Sequence, residues 1–164
     1  MAYNTVKLKN YSDVFFEGEA NAALSPGMLC EIMSTGKYRK HAGAGKDAIP
    51  IFALENYLEG KGITDAYAAA DRVQFWIPGR GDEVYAQIAD EQNIAIGDFL
   101  ISNGAGFLTK YSPESWESND AQQANTIYSN CIVAQALEAL DLSGLSAAGS
   151  SDAPAKQFLK VRIV

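Results

Sequence analysis

The sequence predicts a mainly antiparallel β protein, a barrel or sandwich of roughly seven to nine short strands. Three observations point there. Short apolar runs recur from Met28 onward. Glycine- and asparagine-rich turns follow two of the clearest runs, at Pro78-Gly79-Arg80-Gly81-Asp82 and Asn103-Gly104-Ala105-Gly106. The C-terminal run sets Leu159, Val161 and Ile163 against Lys160 and Arg162, the pattern of a half-buried strand with one wet face. At 164 residues the chain is one ordinary domain, or a small domain plus an arm.

Residues 1–24 differ from the rest. Tyr3, Val6, Leu8, Tyr11, Val14, Phe15 and Phe16 are scattered among Lys, Asn, Ser and Asp. Val6 and Leu8 fit strand alternation, whereas Tyr11, Val14 and Phe15 fit neither strand nor helix period. Such a segment packs as an edge strand or is an arm needing another surface. We read 1–24 as an extended N-terminal arm and 25–164 as a single β domain. Ser25-Pro26-Gly27 punctuates, and Met28 to Met33 reads as a strand. Ser34-Thr35-Gly36-Lys37 is a turn, and residues 38–47 form a basic, glycine-rich loop. Ile49 to Glu55 is a second strand, with Pro50 near its start, where a missing N–H is tolerated.

Asn56 to Gly62 reads as a loop, and Asp65 to Asp71 is alanine-rich enough for a helical turn or two. Arg72–Ile77 and Glu83–Ile88 flank the first glycine-rich loop and read as a hairpin. Asn93–Asp98 leads into Phe99-Leu100-Ile101, and Phe107–Tyr111 returns as a second hairpin. Residues 112–126 are polar and acidic, a loop insertion. Val133 to Leu140 would pass as helix on propensity, but its alternation and its β neighbours favour a strand. Residues 143–156 are a small-residue flexible loop before the last strand.

Composition closes off several functions. Apolar residues at 48% and charged residues at 20% are globular, not disordered, proportions. Thirteen basic against twenty acidic residues leave a net charge of −7, which argues against a nucleic-acid partner, since that affinity rests on Lys and Arg neutralising phosphates. No apolar run approaches the roughly 20 residues a bilayer span needs, and Met1 to Leu8 lacks a signal peptide's apolar stretch, so no membrane partner is expected. Cys30 and Cys131 are far apart and read as reduced, buried thiols.

Motifs for chemistry are scarce, and we assign no catalytic, cofactor-binding or metal-binding residue. Gly43-Ala44-Gly45-Lys46 lacks the earlier glycine and the following Ser or Thr of a phosphate loop. His41, the single histidine, reads as an exposed loop residue, and any Ser-His-acid triad would have to use it. The adjacent pairs Asp82-Glu83 and Asp90-Glu91 point to opposite faces of a strand and so do not converge. Asn10-Tyr11-Ser12 fits a glycosylation acceptor by chance. Trp116, in a polar loop, either anchors an interface or packs back on its own domain.

One stretch carries a family likeness. Residues 84–110, VYAQIADEQNIAIGDFLISNGAGFLTK, run as apolar strand, Gly-Asp-x-Leu-like step, Asn-Gly turn and strand. Ile132 to Glu138 and Lys160 to Val164 supply a closing pair, and Ala20 to Met33 a beginning. In this order the chain resembles the capsid decoration (cement, head-stabilising) proteins of tailed bacteriophages. The resemblance implies a small antiparallel β-barrel or β-tulip-like domain on the outer surface of an icosahedral head, made in the host cytoplasm. It implies the major capsid protein as partner, a homotrimer as working form, and stabilised contacts between capsid subunits. It also implies that Tyr3, Val6, Leu8, Tyr11, Val14, Phe15 and Phe16 form a capsid-binding arm whose removal, as residues 2–16, leaves the domain folded. The insertion at 112–126 and the long aromatic N-terminal segment depart from the simplest members. Two other classes compete. A receptor- or carbohydrate-binding virion module would show exposed aromatics converging on one groove, with Trp116 and Tyr111 as candidates. A small hydrolase would show a pocket with perturbed titratable groups.

Overall fold

The computed structural model describes residues 4–9, 14–117, 124–127, 131–143 and 157–164. Among these the chain is β throughout, with one 3-10 turn at Tyr57–Glu59 and no α-helix. Two large antiparallel sheets make up the body.

The five-stranded sheet is built from β2 (Phe15–Glu19), β3 (Leu29–Ile32), β4 (Tyr38–Lys40), β5 (Ile51–Ala53) and β6 (Arg72–Trp76), in the order β2-β6-β5-β3-β4. The six-stranded sheet contains β1 (Lys7–Lys9), β7 (Glu83–Gln87), β9 (Phe99–Ser102), β10 (Leu108–Lys110), β13 (Ala134–Ala136) and β15 (Phe158–Ile163), in the order β1-β7-β15-β13-β9-β10. Two small ribbons complete the chain. β8 (Asn93–Ile94) pairs with β14 (Leu140–Asp141), and β11 (Glu114–Glu117) pairs with β12 (Ala124–Ile127).

Strand alternation places the core on both faces of the five-stranded sheet. Phe52, Trp76 and Leu29 face the six-stranded sheet, where they join Val84, Ala86, Leu100, Ala134, Leu159 and Val161. Their sequence neighbours Ile51, Ala53, Phe75 and Cys30, with Val73 two residues before Phe75, face the other way, into a second cluster with Ala20, Leu24 and Tyr67. Successive side chains on a strand point to opposite faces, so each of these strands serves two cores. Burying a large apolar side chain contributes about 1.5–3 kcal/mol, which makes Phe52, Phe75 and Trp76, all fully buried, principal stabilisers.

Two glycines permit this packing. A methyl group at Gly18 would run into the Tyr38 ring, which packs at a tilt against Phe16 and Phe75 at 5.3 and 4.6 Å between centroids. At Gly27 the backbone takes φ +82°, and a Cβ would sit 2.6 Å from the Phe158 ring. There the Gln87 N–H donates to the Gly27 carbonyl at 3.0 Å, tying the β2–β3 connection to β7.

Each sheet curls until distant strands touch. Ala20, just past β2, bridges Tyr38 on β4, and Ile88, just past β7, bridges Leu108 on β10. These are single residue pairs, not ladders, and the described residues form no closed barrel.

Several expectations are corrected. Arg72–Ile77 and Glu83–Ile88 do not form a hairpin, because β6 and β7 lie in different sheets. The loop between them is instead fastened to β15. The Gly81 N–H donates to the Ile163 carbonyl at 2.9 Å, and the Ile163 N–H to the Asp82 carbonyl at 3.0 Å. Residues 65–71 are not helical: Ala69 and Ala70 make a turn, and Tyr67 bridges Leu24. Of the segment 1–24, the described residues include an outermost strand of each large sheet. β1 pairs with β7 and β2 with β6, because Val6 finds a fully buried site in the larger core. Of the insertion at 112–126, the described residues include β11 and most of β12, which pair with each other. The strand reading of 133–140 holds in β13 and β14, and the Asn103-Gly104 hairpin forms as β9 and β10.

Candidate docking groove

Where the edge strands of the two sheets lie close, they leave an open groove of about 530 Å³. β1 contributes Lys7 to one wall, with Thr5 just before it, and β2 contributes Phe15, Phe16 and Glu17. Gln74 and Phe75 of β6 and the segment after β5, Leu54 and Glu55, line its depth. Tyr57 and Leu58, on the 3-10 turn, complete the lining.

Local chemistry fixes this geometry. The Glu55 carboxylate accepts the Thr5 hydroxyl at 2.5 Å and the Val6 N–H at 3.2 Å, so one acid pins the start of β1 to the end of β5. The Val6 carbonyl accepts the Tyr85 N–H at 2.7 Å, which fastens β1 to β7. The Lys7 ammonium sits 4.6 Å above the Phe15 ring centroid, a cation–π contact. Phe15 in turn stacks on Trp76 at 6.2 Å.

The groove's apolar surface is open to solvent. Val14 and Phe15 are about half exposed, and Tyr57 and Leu58 are 67% and 71% exposed. Large apolar side chains left exposed together mark an interaction surface more often than a scattered pair does. The charge of the groove is acidic on balance, with Glu17 and Glu55 against Lys7. The nearby Glu59 is taken up by Lys61 at 2.8 Å, and this contact raises the Lys61 pKa.

The fold has a counterpart among phage head proteins. It resembles the N base of the head fiber protein gp8.5 of bacteriophage phi29, with a TM-score of 0.50 and 12% sequence identity. The likeness covers 93% of this chain and 95% of that one. Compared by sequence, the chain matches no protein-family model and no curated protein.

The N-terminal residues singled out in the sequence divide. Phe15 lines the groove, with Val14 exposed beside it. Phe16 reaches the groove's lining but is half-buried in the aromatic cluster with Tyr38 and Phe75. Val6 is wholly buried, and Leu8 is partly buried against the larger core. Tyr3 and Tyr11 lie outside the described residues. Trp116 lies on β11, opposite Asn125. Tyr57 and Leu58 were not foreseen. Their signal was two adjacent large apolar residues in a loop otherwise made of Asn, Glu, Gly and Lys.

His41 also departs from expectation. It is 4% exposed, and its Nδ1 lies 2.7 Å from the Ser102 Oγ. Its Nε2 is 3.6 Å from the Glu31 carboxylate. The row Ser102–His41–Glu31 has the residue types of a nucleophilic triad, but Ser102 is fully buried and none of the three lines the groove. The Ser102 Oγ also accepts the Gly104 N–H at 3.2 Å. The arrangement fastens the residue just past β4 to β9, whose Ser102 is itself fully buried.

Proposed function

We propose that the protein is a virion structural component that mounts on the outer surface of a phage head. The observation that carries this is the end-to-end fold likeness to a head fiber base. The resemblance of residues 84–110 to capsid decoration proteins adds the finer terms: the major capsid protein as partner, a homotrimer as working form, and stabilised contacts between capsid subunits. The net charge of −7 suits a protein that stays outside a shell packed with DNA. Three copies around one axis would hold the shell by effective concentration, without any single tight contact.

The test is co-sedimentation of the purified protein with expanded, undecorated heads of its source phage, with unexpanded proheads as control. Saturable binding to expanded heads is expected. Absence of binding to either particle refutes head mounting. One observation favours a second reading, a glycan- or receptor-binding virion module. Phe15 and Tyr57 are exposed aromatics converging on one groove, beside the hydrogen-bonding side chains of Glu17, Glu55 and Gln74.

A further inference from the structure

We propose that the groove receives an extended segment of the head protein on which the chain is mounted, a segment bearing large apolar side chains and at least one Lys or Arg. The incoming segment adds as a strand to the open edge of β2. This inference rests on head mounting for the source of the segment, and on the following geometry for its chemistry.

The edge of β2 is available. Among the described residues β2 is laddered on one side, to β6, and its other edge is engaged only past Glu19, where Ala20 bridges Tyr38 and the Asn21 N–H donates to the Tyr38 carbonyl at 2.7 Å. The Ile77 N–H donates to the Val14 carbonyl at 3.0 Å, and the Ala20 N–H to the Asp71 carbonyl at 2.9 Å. In an antiparallel pair alternate residues direct their backbone groups to the partner, so the groups of Phe15 and Glu17 face the other way. An unpaired row of N–H and C=O groups is a template for an added strand, and alternate side chains of that strand supply specificity. The groove beside β2 is of a size to take such side chains, since pockets for small ligands run from about 300 to 1,000 Å³.

The charge selects the occupant. Natural edge strands are commonly blunted by Lys or other cations. β1 carries Lys7 and Lys9, β4 carries Arg39 and Lys40, and β10 carries Lys110. β2 is the exception among these outermost strands, with the sequence Phe-Phe-Glu-Gly-Glu. Glu19 is bound by Lys37 at 2.6 Å, but among the described residues Glu17 forms no ion pair. An acidic edge on an acidic chain repels a second copy and admits a basic strand, which is discrimination by a repulsive element as well as an attractive one.

The experiment compares wild-type protein with the double variant Phe15→Ser/Leu58→Ser and the single variant Glu17→Lys. All three positions are exposed or half exposed, so native circular dichroism is expected in each. Wild-type protein should sediment with expanded heads, and each variant should bind at least about tenfold more weakly, as for loss of a central aromatic or charged contact. In parallel, an alternating Val-Lys peptide at about 1 mM should shift the amide NMR signals of Phe15, Glu17 and Leu58, and a Val-Glu peptide should not. Variants that bind heads as well as wild type overturn the groove inference and leave head mounting intact. Wild-type protein that does not bind heads refutes head mounting, and with it the assigned source. Equal shifts from both peptides, or shifts at β2 from a neutral oligosaccharide in place of the Val-Lys peptide, overturn the basic-strand occupant and favour the glycan module.

Discussion

Replacing Val6 by Ala separates an integral N-terminal strand from a detachable arm. Val6 is 0% exposed and packs in the larger core, although only three short residues of strand follow it. The substitution removes two carbons from a buried site, at about 0.8 kcal/mol each for transfer. The cavity left behind raises the cost, to about 2–3 kcal/mol in all. With a urea slope of about 2 kcal/mol/M, the unfolding midpoint should fall by about 1–1.5 M. The assay is equilibrium urea unfolding followed by tryptophan fluorescence, for which buried Trp76 is a reporter. Removal of residues 2–16 should be far more damaging. It takes away β1, the two hydrogen bonds to Glu55, and the part of β2 that covers Trp76. A midpoint unchanged within about 0.2 M for Val6→Ala, together with a cooperatively folded deletion variant, would refute the placement of β1 in the core.

Other outcomes follow from single sites. Ser102→Ala should destabilise by about 1–3 kcal/mol, because it leaves the buried His41 Nδ1 without its partner; an unchanged urea midpoint would contradict that bond. Burial pushes the Cys30 thiol up to about 12, so native protein at pH 8 should resist iodoacetamide at this site and react only in denaturant. Rapid native alkylation at Cys30 would show that the smaller core is open. Lys110, bonded at 2.7 Å, and the Ala95 N–H hold the Asp98 carboxyl below its ordinary value. A carboxylate depressed in the folded state adds stability above its unfolded pKa, and that stability is lost as pH falls through the folded value. Stability should therefore decline below about pH 4, and Asp98→Asn should flatten part of that decline. The pair is a surface one, so the effect should stay under about 1 kcal/mol; an identical acid limb in the variant would count against the contact.

What could be read in the sequence was local. The β9–β10 hairpin is specified by Asn103, whose side chain accepts the Ala105 and Phe107 N–H groups at 2.8 and 3.1 Å within its own turn. β15 is specified by its alternation, with Lys160 and Arg162 on the wet face against Glu83 at 2.9 and 3.5 Å. The failures all concern choices between distant partners. β6 and β7 looked like a hairpin because a glycine-rich loop joins two apolar runs. Yet every residue of β7 is buried, so its pattern shows no wet face and no preferred sheet. Which sheet it joins is decided by β15 and by β1, neither adjacent in sequence.

The same physics explains why the groove was half visible. Phe15 and Val14 drew attention because they fit neither strand nor helix period, and they are exposed. Val6 and Leu8 drew it for the opposite reason, strand alternation, which pointed equally to an edge strand or to an arm. The choice is settled at Val6, just before β1, whose N–H donates to Glu55, 49 positions away, and whose carbonyl accepts the Tyr85 N–H. Apolar residues in a short polar segment are therefore ambiguous until the partners of their backbone are known. Where those partners lie within the chain, as for Val6, the residue belongs to the core. Where the backbone groups face away from the neighbouring strand, as for Phe15 and Glu17, the strand has one laddered partner among the described residues, which is the basis for proposing a second.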